Sequence, residues 1–138
     1  MAWQFASEDA ETALGSRDDF VAALHLQVGA PIDEFAAKVL YTEVVANTVR
    51  HAPGAIRIVL EARDDAHWLC VFDEGPPFDW APELPVDLYG EGGRGMFLID
   101  RYSDCVAVER LAAGGNAVRI KLNPGAHAPL IRNESRGT

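Results

Sequence analysis

Cysteine is scarce: only Cys70 and Cys105 occur in 138 residues, both in apolar, strand-like runs. That is too few for the disulfide framework of a small secreted fold, and both read as small core residues in a reducing compartment. Positive charge is also thin, with 12 Lys+Arg against 21 Asp+Glu and a formal net charge of -9. A surface of that sign repels phosphate backbones and anionic head groups, so neither nucleic acid nor membrane is expected as a partner. Long apolar runs are missing; nothing approaches the roughly 18 consecutive apolar residues of a membrane span. The opening "MAWQFASEDAETALGSRDD" has no basic region followed by an apolar one, so it does not read as a targeting segment. These absences predict a cytoplasmic protein. His25, His51, His67 and His127 are scattered without metal-ligand spacing, and no zinc site is expected. What is present, 49% hydrophobic and 24% charged residues, is the composition of one globular domain.

Periodicity places the elements. A short edge strand is predicted near Trp3 to Phe5. In "GSRDDFVAALHLQVGA", Ser16 reads as an N-cap with Asp19 three residues on, and Phe20, Leu24 and Val28 recur at helical spacing until Gly29 and Pro31. A second helix is predicted from about Ile32 or Asp33 to about His51, stopped by Pro53 and Gly54. "AIRIVLEA" and "HWLCVF" read as a hairpin across "RDDA", with Ile56, Ile58 and Leu60 on one face. The four prolines from Asp73 to Tyr89 mark a long functional loop. "MFLIDRYSD" reads as a short helix, and "CVAVERL" and "AVRIKL" as a strand pair across "AAGGN". Residues 1–123 form the domain, and residues 124–138 read as a C-terminal tail.

Three segments carry polar groups that a small core does not need. In "TEVVANTVRHAPG", Ala36, Leu40, Glu43, Asn47 and Arg50 fall on one stripe of a helix that is apolar around most of its circumference. Polar groups buried there are costly unless paired. One reading is a local network of Glu43 with Arg50 or His51. The other is a cation site, with the Asn47 amide oxygen as a hard Mg²⁺ ligand and Glu43 deprotonating a nucleophile. "FDEGPPFD" ends a strand with Asp73 and then Gly75; it is either an Asx turn or a carboxylate that accepts from an exocyclic amine such as that of adenine. "GEGGRGMFLID" matches dinucleotide spacing at Gly90, Gly92 and Gly95, but Pro82 and Pro85 break the preceding segment and fewer than fifty residues follow, which excludes that fold. What remains is a glycine loop whose exposed N–H groups and following helix favour phosphate, with Arg94 inside it.

In this order the segments resemble the Bergerat-fold ATPases, the superfamily of gyrase, a heat-shock chaperone, histidine kinases and the MutL repair protein. "DEGPPFD" and "GGRGMFLID" look most like its anti-sigma-factor serine kinase branch, over about Asp33 to Leu122. The resemblance implies an α/β (α+β) two-layer sandwich, with a mixed, mostly antiparallel sheet and helices on one face. It implies ATP and Mg²⁺ as cofactors, Glu43 as the base and Asn47 as the metal ligand. Asp73 and Gly75 become the adenine site, with Gly92, Gly93, Arg94, Gly95 and Met96 at the phosphates and Arg50 as a further contact. Arg94 doubles as a catalytic charge, and the segment between the last two motifs becomes an ATP lid. The implied partners are an anti-sigma-factor antagonist, phosphorylated on a serine, and a sequestered sigma factor or other target; a homodimer is also implied. Three positions depart from the pattern: Pro77 replaces a frequent glycine, Glu91 lies where some of these kinases carry a basic residue, and Asn116 stands where threonine is common near the phosphates. A switch that binds ATP without phosphoryl transfer is the alternative.

Overall fold

A computed structural model of the chain describes residues 1–6, 8–52, 54–76, 99 and 101–123. The elements run β1 (Ala2–Ala6), α1 (Ala10–Gly15), α2 (Arg17–Val28), α3 (Glu34–His51), β2 (Ala55–Arg63), β3 (Ala66–Asp73), β4 (Cys105–Arg110) and β5 (Asn116–Leu122). The five strands form one sheet in the order β1-β2-β3-β5-β4. Every ladder among them is antiparallel, so the parallel component of the expected mixed sheet is not found among the described residues. The reason is topological. β2–β3 and β4–β5 are hairpins, and the chain leaving β3 returns so that β5, not β4, lies beside it.

The sheet is covered on one face. Alternation places Ile56, Ile58 and Leu60 of β2 with Leu69 and Val71 of β3 and Val118, Ile120 and Leu122 of β5 in the core. Phe20, Val21 and Leu24 of α2 and Leu40, Tyr41, Val44 and Val45 of α3 pack into the same cluster. On the opposite face, the guanidinium groups of Arg57 and Arg119 lie 4.4 and 5.3 Å from the Phe72 ring centroid, and that of Arg63 lies 5.1 Å from Trp68. The arginine stems cover apolar surface there while their charges stay in water. Cys70 is buried, and that burial pushes its thiol up. Cys105 is exposed, contrary to the core position read from its apolar run, because it opens the edge strand β4. No helix among the described residues is long and apolar enough to cross a membrane.

Two helix starts differ in kind. Asp33 caps α3 by accepting from the Ala36 N–H at 3.1 Å. Ser16 does not cap α2: a helix absent from the periodicity reading, α1, runs directly into it and leaves Ser16 at φ -81, ψ 3. Its hydroxyl turns back to the Thr12 carbonyl at 3.4 Å instead. At the other end of α3, Ala52 is extended, the conformation favoured before a proline. Helical backbone at Ile99, Arg101 and Tyr102 agrees with the short helix predicted over "MFLIDRYSD". The long proline loop after Pro76, the glycine loop and the tail lie outside the described residues.

Candidate functional site

α3 carries two of the predicted polar residues into different surroundings. Asn47 is 4% exposed, and its Oδ1 accepts from Arg50 Nη2 at 3.4 Å, so Arg50 turns back along its own helix toward the amide. Glu43, one turn earlier, is only half-buried and lines a groove of about 290 Å³ with Arg17, Phe35, Lys38, Val39 and Thr42. α3 is apolar around most of its circumference but is not buried to the same extent. Phe35 is 64% exposed, so the stripe through Phe35, Val39 and Glu43 faces outward. No hydrogen bond or ion pair joins Glu43 to Arg50, which reaches Asn47 instead, and the alternative partner, the His51 side chain, lies outside the described residues.

Asp73, Gly75 and Asn116 are brought together at one end of the sheet. Asp73 terminates β3 and is directly opposite Asn116, the first residue of β5, which is opposite Arg110, the last of β4. Asp73 is 5% and Asn116 3% exposed. Asp73 Oδ1 accepts from the Gly75 N–H at 2.8 Å and from Asn116 Nδ2 at 3.0 Å. The same Nδ2 donates to the Pro76 carbonyl at 2.9 Å and lies 3.4 Å from that of Gly75. The Asx-turn reading of "DEGPP" is therefore realised, and it leaves Asp73 Oδ2 without a protein donor among the described residues.

Glycine is required at two points of this corner. A Cβ on Gly75 would stand 2.9 Å from both Cα and Cβ of Ala52, so the chain after Asp73 packs flush on the C-terminal end of α3. Gly115 has φ +95, and a Cβ there would lie 2.1 Å from the Asp73 carbonyl oxygen. Two contributors escaped the sequence reading. Arg110 donates from Nη1 to the Gly75 carbonyl at 3.0 Å, a contact foreseeable only once the β4–β5 register is known. Thr48 is buried and returns its hydroxyl to the Val44 carbonyl at 2.8 Å, as a buried helical threonine commonly does. Gly92, Gly93, Arg94, Gly95 and Met96 lie outside the described residues. The described residues hold no cluster of three or more His, Cys, Asp or Glu side chains suited to a metal. The oxygen donor at hand is the Asn47 amide, buried and already facing a positive group, which is the hard, neutral ligand type suited to Mg²⁺ sharing waters and phosphate oxygens.

Residues 8–122 match the family profile of the histidine kinase-like ATPase domain. The chain is also similar to the serine-protein kinase RsbW of Staphylococcus aureus strains JH9, Newman and JH1. Each is 31% identical over 99 residues, covering 59% of this chain and 62% of the relative. More than a third of each relative's length is thus left unmatched.

Proposed function

The chain belongs to the histidine kinase-like ATPase domain family, and from that premise we propose that it is an ATP-dependent serine protein kinase of the anti-sigma-factor type. In this reading it phosphorylates a serine of an anti-sigma-antagonist partner and, in another state, sequesters a sigma factor or other target protein. It acts in the cytoplasm, as a homodimer. The observation that carries the reading is the Asp73 corner: a buried carboxylate at a strand end, one oxygen accepting from two protein donors and the other without a donor among the described residues. A 6-amino group of adenine supplies the missing donor, whereas the 6-oxo group of guanine sets acceptor against acceptor.

Each side chain then has a task. Asp73 and Gly75 hold the base, with Asn116 behind the carboxylate. Asn47 is the residue that would hold Mg²⁺, and the ion supplies neutralisation of phosphate charge when bound. Arg50, which already reaches the Asn47 amide, lies close enough to share that charged neighbourhood. Gly92, Gly93, Arg94, Gly95 and Met96 wrap the terminal phosphates with backbone N–H groups and a guanidinium. Glu43 takes the proton of the incoming serine hydroxyl as its oxygen attacks the γ-phosphorus, and the bond to the β–γ bridging oxygen breaks to release ADP. A base for a protein substrate must be reachable by another chain, and the half-buried Glu43 in an open groove meets that requirement.

The test is incubation with γ-labelled ATP, Mg²⁺ and an antagonist domain bearing a phosphorylatable serine. Label on that serine is the expected result. A second reading is an ATP-binding switch that sequesters its partner without transfer, and one observation favours it: no donor among the described residues orients the Glu43 carboxylate. Intact ATP binding with an unlabelled antagonist is the outcome that selects it.

A further inference from the structure

Asp73, Asn116 and Arg110 form a row across three strands, each directly opposite the next. Among the described residues Asn116 Nδ2 has three hydrogen-bond partners, all acceptors: Asp73 Oδ1 at 3.0 Å, the Pro76 carbonyl at 2.9 Å and the Gly75 carbonyl at 3.4 Å. That fixes which way the amide points, because its oxygen cannot face three oxygens. Arg110 Nη1 holds the Gly75 carbonyl from the same row at 3.0 Å. The turn of the hairpin bears on the main chain as well, through the close approach of Gly115 to the Asp73 carbonyl. An unrestrained carboxylate turns freely about its last torsion and can offer either oxygen to a ligand or to water. Here one oxygen is occupied by two donors, which sets the direction of the other, to which no described residue donates. A hydroxyl at position 116 has a single proton to donate, whereas the amide has two and can serve the carboxylate and the loop carbonyls together.

Building on the ATP reading, we infer that Asn116 is a positioning residue for nucleotide selectivity, that it acts through Asp73 without reaching the phosphates, and that Arg110 stabilises the backbone it grips. The β4–β5 hairpin thereby sets the preference for a 6-amino purine from behind the carboxylate.

Calorimetric titration of the full chain with ATP and with inosine triphosphate, which carries oxygen in place of the 6-amino group, tests this. The unaltered protein prefers ATP. Asn116→Ala weakens ATP binding about tenfold, the scale of one lost hydrogen bond to a charged group, while inosine triphosphate affinity stays within about twofold, since that ligand gains nothing from Asp73. Asn116→Ser, with one donor restored, recovers part of the ratio. In an Asp73→Asn background the Asn116→Ala change leaves the ratio unmoved. Parallel losses for both nucleotides mean a merely structural role and overturn the inference, as does an unchanged ratio. If Asn116→Ala fails to fold, the Asn116→Ser ratio decides: a shift toward inosine triphosphate supports the inference, and none overturns it. Failure of the unaltered protein to bind ATP overturns the ATP reading itself, which is a separable result.

Discussion

Asn47 and Glu43 sit one helical turn apart, and their different exposure argues for different work. An amide oxygen at 4% exposure, met among the described residues only by Arg50 at 3.4 Å, gains most from a cation that completes its coordination. Asn47→Ala should therefore weaken Mg²⁺-dependent ATP binding about tenfold and leave binding without Mg²⁺ nearly unchanged, as titration calorimetry with and without the metal would read. Glu43→Gln keeps the shape of a half-exposed side chain, so it should spare affinity and lower single-turnover transfer about a hundredfold or more, the usual scale for a removed general base. Equal losses of ATP affinity in both variants would contradict this division. The 100° periodicity was enough to put both residues on one stripe, but it could not say which side of the stripe is covered. Phe35 and Val39 are apolar and outward-facing, and an apolar residue on the open side of a helix looks in sequence like one in the core.

The β2–β3 hairpin shows how local chemistry can fix an element. Asp64 and Asp65 have φ of 54 and 61 and follow the Arg63–Ala66 pair directly, the two-residue turn with both central residues left-handed. Aspartate tolerates that region better than most residues but still less well than glycine, so Asp64→Asn with Asp65→Gly should raise stability by about 1 kcal/mol. The expected signature is a higher urea midpoint at unchanged slope, with ATP binding unaffected; a lower midpoint would contradict it. Such turns, the strands and the start of α3 were legible because each is decided within a few residues. α1 was not: a helix of six residues has too few turns to show a period, and it converts the apparent cap Ser16 into a junction. α1 is tied to α3 by the Tyr41 hydroxyl, which donates to the Ala13 carbonyl at 2.9 Å. Burial, the largest cause, pushes Tyr41 up to about 12. The folded protein then holds a proton that the unfolded chain loses above about pH 10. Stability should fall as pH rises from about 10 toward 12, and in a phenolate absorbance titration Tyr41 should ionise only together with unfolding. A Tyr41→Phe variant that shows the same alkaline destabilisation would remove this assignment.

The site itself is a property of the whole molecule. Asp73 and Asn116 are 43 positions apart, and only the antiparallel order β3-β5-β4 makes Asp73, Asn116 and Arg110 a row. The motif "DEGPP" announced a turn and a carboxylate, and its own Gly75 N–H is one donor to Asp73 Oδ1, but the second donor, Asn116, and the Arg110 guanidinium that holds the Gly75 carbonyl come from a hairpin far along the chain. A chain of net charge -9 must also overcome a general repulsion of phosphate, so nucleotide binding has to rest on local donors and a cation. That makes a thermodynamic forecast. At a ligand concentration about a hundredfold above the dissociation constant, binding to the folded state alone adds about 2.7 kcal/mol, which for a domain of this size corresponds to roughly 10 °C in Tm. Mg²⁺ with ATP should produce a rise on that scale in a thermal melt. Chelating the metal with EDTA should remove most of it, because the phosphates would then face an acidic surface with Asn47 offering only a lone pair. GTP should produce a much smaller rise, since its 6-oxo group sets an acceptor against the Asp73 carboxylate. A rise of the same size with GTP, or one indifferent to EDTA, would mean that the ligand is held somewhere other than between the Asn47 turn and the Asp73 corner.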